Sequence, residues 1–197
     1  MRKKQEDQRV RITKKIIKES FLKLVLEKPI YKISIRELCD QAQISRGTFY
    51  LHYEDIYQLQ DEIEDTLMKE LVERVHALKE KDYEHYENSV MTVIFQCLCD
   101  HADICEAMLG PHGDRVFIAK LLSFGKHVCV DLHIQNLEVA DEKELEYFYT
   151  FISAGCIGLL RKWIVSDRAK EDADKVAKIA EDIIDCGSRF INQKVSG

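Results

Sequence analysis

Nine consecutive residues, Ser45-Arg46-Gly47-Thr48-Phe49-Tyr50-Leu51-His52-Tyr53, bring together hydrogen-bonding side chains and one bare backbone position. Their chemistry is that of recognition rather than bond-making. The guanidinium of Arg46 matches the O6 and N7 acceptors of guanine. Gly47 has no side chain, so a partner can approach the backbone. Thr48 offers a hydroxyl for a hydrogen bond and a methyl for a thymine methyl. Tyr50 and His52 offer donors to phosphate oxygens. Upstream, Ser34 and Arg36 begin another helical stretch, where hydroxyl, amide and guanidinium can hold a further phosphate. Taken singly, these residues have plain readings. Phe49 and Leu51 read as core, Tyr50 as a core tyrosine, and a lone Arg or His is ordinarily solvated. The order in which they occur carries the functional reading.

The elements that must position them are short helices. Apolar residues at three- and four-residue spacing predict a first helix over about 8–28. Ile12, Ile16, Ile17, Phe21, Leu24 and Val25 form its stripe, and Pro29 stops it. Ser34 with Glu37 predicts a capping box at the start of a second helix, which ends near Gln41. Ser45 caps a third helix reaching about Tyr53. Asp55 caps a long fourth that reaches about Lys81. Two short helices joined by the tight link Ala42–Ile44 and packed on a first helix describe a helix-turn-helix over about 34–53. The third helix would enter the major groove, and Ser45, Arg46, Gly47, Thr48, Tyr50 and His52 would face DNA.

The run Ser45–Tyr53 resembles the recognition-helix signature of TetR-type regulators. Its setting resembles them too: Thr13 and Ile16-Ile17, then Ser34-Ile35-Arg36-Glu37-Leu38, then Leu59. The resemblance covers residues 9–69 and implies a DNA-binding head there, with a ligand-binding and dimerisation body over 70–197. It further implies an all-α fold of about nine helices and a homodimer. A small-molecule effector would release such a repressor from a double-stranded DNA operator. Two positions depart from the pattern. Gln43 stands in the turn where the family usually has glycine, and a left-handed backbone there costs roughly 1 kcal/mol. Ile56 stands where the family often has a phosphate-facing lysine, so the dimer would either bind more weakly or lean on the basic arm Arg2-Lys3-Lys4.

Further helices are expected over about 84–101, 103–109, 114–136, 141–166 and 168–193, with the clearest break at Gly110-Pro111-His112-Gly113. Residues 147–164 are apolar nearly all round and must be covered on most sides. The expected dimer surface is Gly155 and Gly158 with Ile179, Ile183 and Phe190, two helix pairs making a four-helix bundle. Such residues also suit a monomer core. Candidate pocket residues are Phe95, Cys99, Met108, Phe117, Leu121, Phe124, Tyr147, Phe151 and Trp163, although aromatics at helical spacing are usually core. Cys97, Cys99, His101 and Cys105 would suit a soft metal or a thiol sensor if one helix ran through them. A break near Asp100–Asp103 and the habit of free cysteine to be buried favour ordinary packing.

Charge is uneven along the 197 residues. Residues 1–56 hold 13 Lys/Arg against 8 Asp/Glu, a net of +5, on a chain whose total is −6. A basic head on an acidic body suits a polyanionic partner. No long apolar run or secretory leader is read, so a cytoplasmic protein without a membrane partner is expected. The seven cysteines follow no disulfide spacing. No phosphate loop, nucleophile elbow or paired metal motif is present, so an enzyme is not expected, nor a cofactor or metal. The alternative to an organic effector is control by a protein partner, a metal or thiol redox state.

Overall fold

Side-chain oxygens and one proline set where the amino-terminal helices begin and end. In the computed structural model, residues 2–81, 86–133, 142–164 and 172–195 are described. Helix α1 spans Arg2–Glu27 and is followed, past Pro29, by a 3-10 turn over Ile30–Lys32. It starts earlier than the sequence predicts, so the expected arm Arg2-Lys3-Lys4 is helical; its side chains lie outside the described ones. Helix α2 (Ile35–Ala42) starts behind Ser34, and α3 (Arg46–Tyr50) behind Ser45. Helix α4 (Ile56–Lys81) starts behind Asp55, whose Oδ1 accepts from Gln58 N at 2.8 Å.

The body follows as α5 (Tyr86–Asp100), α6 (Ala102–Leu109), α7 (Arg115–His133), α8 (Glu142–Lys162) and α9 (Ala173–Val195). Among the described residues the fold is all-α, with no strand. None of the described helices is long and apolar enough to cross a membrane. Helix α1 packs on α2 and α6, α5 packs between α4 and α9, and α7 packs on α8. The buried apolar residues, from Ile17 to Ile184, form one connected cluster.

Two glycines permit the turn from α6 to α7. A Cβ on Gly110 would lie 2.6 Å from Glu106 O, and one on Gly113 only 1.9 Å from Met108 O. This close approach brings Asp114 to the start of α7 and against α4. Gln60 Nε2 donates to Asp114 Oδ2 at 2.6 Å and to Glu64 Oε1 at 2.7 Å, and Lys120 Nζ donates to Glu64 Oε2 at 3.1 Å. Burial raises the Glu64 carboxyl above its ordinary range, opposed by its bonds to Gln60 and Lys120. A second polar cluster ties α4 to the end of α5. Arg74 bonds Glu70 and Asp100, and His101 Nε2 lies 2.8 Å from Glu70 Oε2.

Candidate nucleic-acid interface

The turn between α2 and α3 closes on backbone hydrogen bonds. Gln43 adopts the left-handed region (φ 54°, ψ 42°), and Ile44 N donates to Cys39 O at 3.0 Å. The left-handed backbone expected at this departure from glycine is therefore present at Gln43. Gln43 carries the strain of roughly 1 kcal/mol expected of a side chain there.

Both caps form. Ser34 Oγ accepts from Glu37 N at 3.2 Å, and Ser45 Oγ accepts from Thr48 N at 3.0 Å. The capping box at Ser34 is only half made, a correction to the sequence reading. The Glu37 carboxylate turns away from its own helix and pairs with Lys28, at the end of α1. A full positive charge attracts it more strongly than a backbone amide does.

Helix α3 is anchored from beneath. Phe49 is fully buried, with its ring edge-on to Tyr50 at 5.6 Å and tilted against Tyr53 at 5.7 Å. The Tyr53 hydroxyl donates to Glu62 Oε1 at 3.0 Å. Lys14 Nζ lies 2.7 Å from Glu62 Oε2 and 5.1 Å from the Tyr53 ring centre. Burial and the Glu62 carboxylate raise the Tyr53 phenol, so it stays protonated and remains a donor. Helices α1 and α4 and the end of α3 thus hold one another in register.

With Phe49 down, the opposite face points outward. Ser45, Arg46, Gly47, Tyr50 and Leu51 are all exposed, while Thr48 and His52 are half-buried. Thr48 Oγ1 lies 2.9 Å from Ser45 Oγ, so its hydroxyl is drawn into the cap. Arg46 makes no ion pair among the described residues, whereas Arg36 pairs loosely with Asp40 at 3.7 Å across an exposed surface. Ile56 is buried, so no cation projects where the family often has lysine. Leu51, which the sequence allowed as core, is 81% exposed. Its place one turn beyond Gly47 was a readable signal, because residues four apart share a helix face.

In the body, a narrow cavity of ≈ 50 Å³ lies among α4, α5, α7 and α8. Phe95, Leu121 and Phe124 line it, together with Leu71, Cys156 and Ser153, which the sequence reading did not include. The other six expected pocket residues do not line it. Met108, Phe117 and Trp163 fill the core, Cys99 is half-buried against it, and Tyr147 and Phe151 are 67% and 73% exposed. Tyr147 and Phe151 fall outside because α8 has two apolar faces. Ile152 and Leu160 point inward, and Tyr147, Phe151, Gly155 and Gly158 point outward.

A Cβ on Gly155 or Gly158 would meet nothing within 4 Å, whereas one on Gly187 of α9 would meet Phe148 at 2.7 Å. The glycine that lets α8 and α9 approach inside one subunit is thus Gly187. On α9, Ile179 and Ile183 are exposed. The side chain of Phe190 lies outside the described residues.

One continuous helix does not run through the cysteine-bearing stretch. Helix α5 ends at Asp100 and α6 starts at Ala102, and His101 between them turns to Glu70. Among the described residues, no group of three His, Cys, Asp or Glu is placed to hold a metal ion. Burial raises the thiols of Cys97, Cys105 and Cys156, the first and last to about 11. Neutral thiols of this kind are poor ligands and poor nucleophiles.

Comparison with known proteins gives the family. A TetR-type model described as "transcriptional regulator C-terminal region" matches residues 87–186, half of the chain. An uncharacterized HTH-type transcriptional regulator of Bacillus subtilis, YxbF, is 42% identical over 55 residues. That match spans 27% of this chain and only 14% of the relative's length. Among solved structures, a TetR-family regulator from Syntrophomonas wolfei superposes with a TM-score of 0.69 at 16% identity, over 91% of this chain and 96% of that one. A TetR regulator from Streptococcus agalactiae gives 0.64 at 21% identity, over 91% and 97%. NalD of Pseudomonas aeruginosa, a repressor of a multidrug efflux pump, gives 0.59 at 15% identity, over 92% and 97%. At such identities the likeness is one of fold. With the family model over the body and a helix-turn-helix in the head, this chain belongs to the TetR family of transcriptional regulators.

Proposed function

We propose that the protein is a homodimeric repressor that binds a palindromic DNA operator through α3 and is released by a small, uncharged, apolar effector. The observation that carries the DNA reading is the outward face of α3. Arg46, Gly47 and Tyr50 stand free there, on a helix whose other side is locked by Phe49. Arg46 reads a guanine edge, Tyr50 and His52 hold phosphates, and Ser34 and Arg36 hold another at the start of α2. Ser45 and Thr48 set the helix start and lie beside the same groove. Such a regulator works in the cytoplasm, where the chromosome is.

The dimer reading is supported by the outward apolar residues of α8 and α9. Tyr147, Phe151, Ile179 and Ile183 are exposed in a single chain, and apolar side chains of this size suit an interface better than water. Gly155 and Gly158, bare on the same face, would let a partner's helix come close. Two recognition helices then face half-sites whose centres are one helical turn apart, about 34 Å, or a multiple of that.

The effector class is supported by the walls of the cavity. Among the described residues no charged side chain lines it. The Ser153 hydroxyl donates to the Tyr149 carbonyl at 2.5 Å, and the Cys156 thiol is neutral. A charged effector would lose its hydration without replacement. The space is tight, so an effector must spread the helices that line it, α4 among them, and α4 runs on into the head. Selection of bound sequences from random duplex DNA by the purified chain tests this function. A palindromic consensus whose affinity falls steeply with salt is expected. Weak binding to all sequences alike, or binding flat in salt, would overturn it.

A further inference from the structure

Leu51 is the most exposed large apolar side chain among the described residues, at 81%. It is not core, and it does not belong to the apolar patch of α8 and α9. It shares its face with Arg46, Gly47 and Tyr50. Leu51 N donates to Gly47 O at 3.2 Å and its backbone is right-handed helical (φ −71°, ψ −18°), so it stands one turn above Gly47 on the same row. Leu51 therefore follows Gly47 on one row of the exposed face, with Arg46 and Tyr50 on the adjoining row. No side-chain atom of Leu51 comes within 4 Å of where a Cβ on Gly47 would stand, so the two positions stay open side by side. The result is a small apolar spot within a polar, cationic face.

We propose that Leu51 reads the 5-methyl group of a thymine in the major groove. This rests on the reading that α3 enters that groove. Among the four bases, the groove offers hydrogen-bond donors and acceptors and one apolar feature, the thymine methyl. Arg46 and Tyr50 can meet the donors, acceptors and phosphates, and Thr48 is half-buried with its hydroxyl drawn into the cap, so the fully outward apolar group that can cover a methyl is Leu51. A 5-methylcytosine would present the same group at a C·G pair, so the two sources are separated by substituting them one at a time.

The test uses the full chain and the operator it selects. Each thymine is replaced singly by deoxyuridine, which removes only the methyl, and affinity is read by fluorescence anisotropy. The wild-type chain should lose about fourfold at one thymine of each half-site, the worth of one buried methyl-sized group. Leu51→Ala should show no loss at that position, and Leu51→Met should restore part of it. Because Leu51 is exposed, its variants should melt as the wild type does. Placing 5-methylcytosine there instead of thymine should weaken the wild type, since the base pair itself changes. Equal deoxyuridine penalties in wild type and Leu51→Ala at every position would overturn the proposal while leaving α3 as the reader. A chain that selects no sequence would overturn both.

Discussion

Gly47→Ala separates what the fold requires from what DNA requires. Within the subunit the added Cβ meets only Ser45 Oγ, at 3.6 Å, an ordinary contact. No glycine among the described residues has positive φ, so alanine fits the backbone. Replacing glycine within a helix then stabilises by about 0.5–1 kcal/mol. In a chain of this size that raises the melting temperature by about 2–4 °C per kcal/mol. On DNA the sign reverses. The methyl projects about 1.5 Å from Cα into the open approach to the outward face, and α3 must back away from the base edges. Losing the guanine contact of Arg46 costs about 1–3 kcal/mol, or about 5- to 150-fold in affinity. Differential scanning fluorimetry and anisotropy at one fixed salt concentration read both quantities on one preparation. An alanine variant that binds as tightly as wild type would refute the argument that the bare backbone serves DNA. A variant that melts lower would refute the openness of the site.

Arg46→Ala should relax preference at one position of each half-site by about 1–3 kcal/mol, whereas Tyr50→Phe should weaken binding to all sequences alike; measuring both on a panel of operator variants checks the division. Gly158→Leu should abolish the dimer in sedimentation and operator binding with it, while the helical spectrum persists; a dimer that still binds would place the interface elsewhere. The Glu70 carboxyl is held below its ordinary value of 4.5, first by His101 and then by Arg74, so its contribution is present above that pH and lost as pH falls through the lowered value. Glu70→Gln should therefore melt lower than wild type at neutral pH, with the two melting curves converging below pH 4.5; a deficit constant with pH would contradict the pairing.

Local chemistry was legible in the sequence wherever a residue acts on its own neighbours. Ser34, Ser45 and Asp55 cap what their spacing says they cap, and Pro29 ends α1. Longer-range competition was not legible. Nothing near Glu37 announces that Lys28, nine residues away, will claim its carboxylate. The same holds for His101, whose partner Glu70 lies on another helix. Apolar spacing locates a buried stripe, but in α8 it does not say which of two apolar faces is inward. That is why Tyr147 and Phe151 entered the expected pocket while Ser153 and Cys156 did not. Glycines are ambiguous for a related reason. Gly155, Gly158 and Gly187 look alike in sequence, and only the packed helices reveal that Phe148 presses on the last.

Helix α4 crosses the molecule without a break, and its inward row runs Ile56, Leu59, Ile63, Leu67, Leu71 and Val75, all buried. The head meets this row at one end and the cavity touches Leu71 further along, while α1 also packs on α6. Cooperativity follows from this continuity. A chain cut after Tyr53 would strip away the α4 row and bare the α1 surface that now meets α6. Calorimetry of the intact chain should therefore give one transition. The slowest-exchanging amides of α1 and those of α4 should report a common opening free energy. A substitution deep in the body that lowers global stability should loosen α3 by the same amount, although it lies far from any DNA contact. The part of the molecule that meets DNA has no melting temperature of its own.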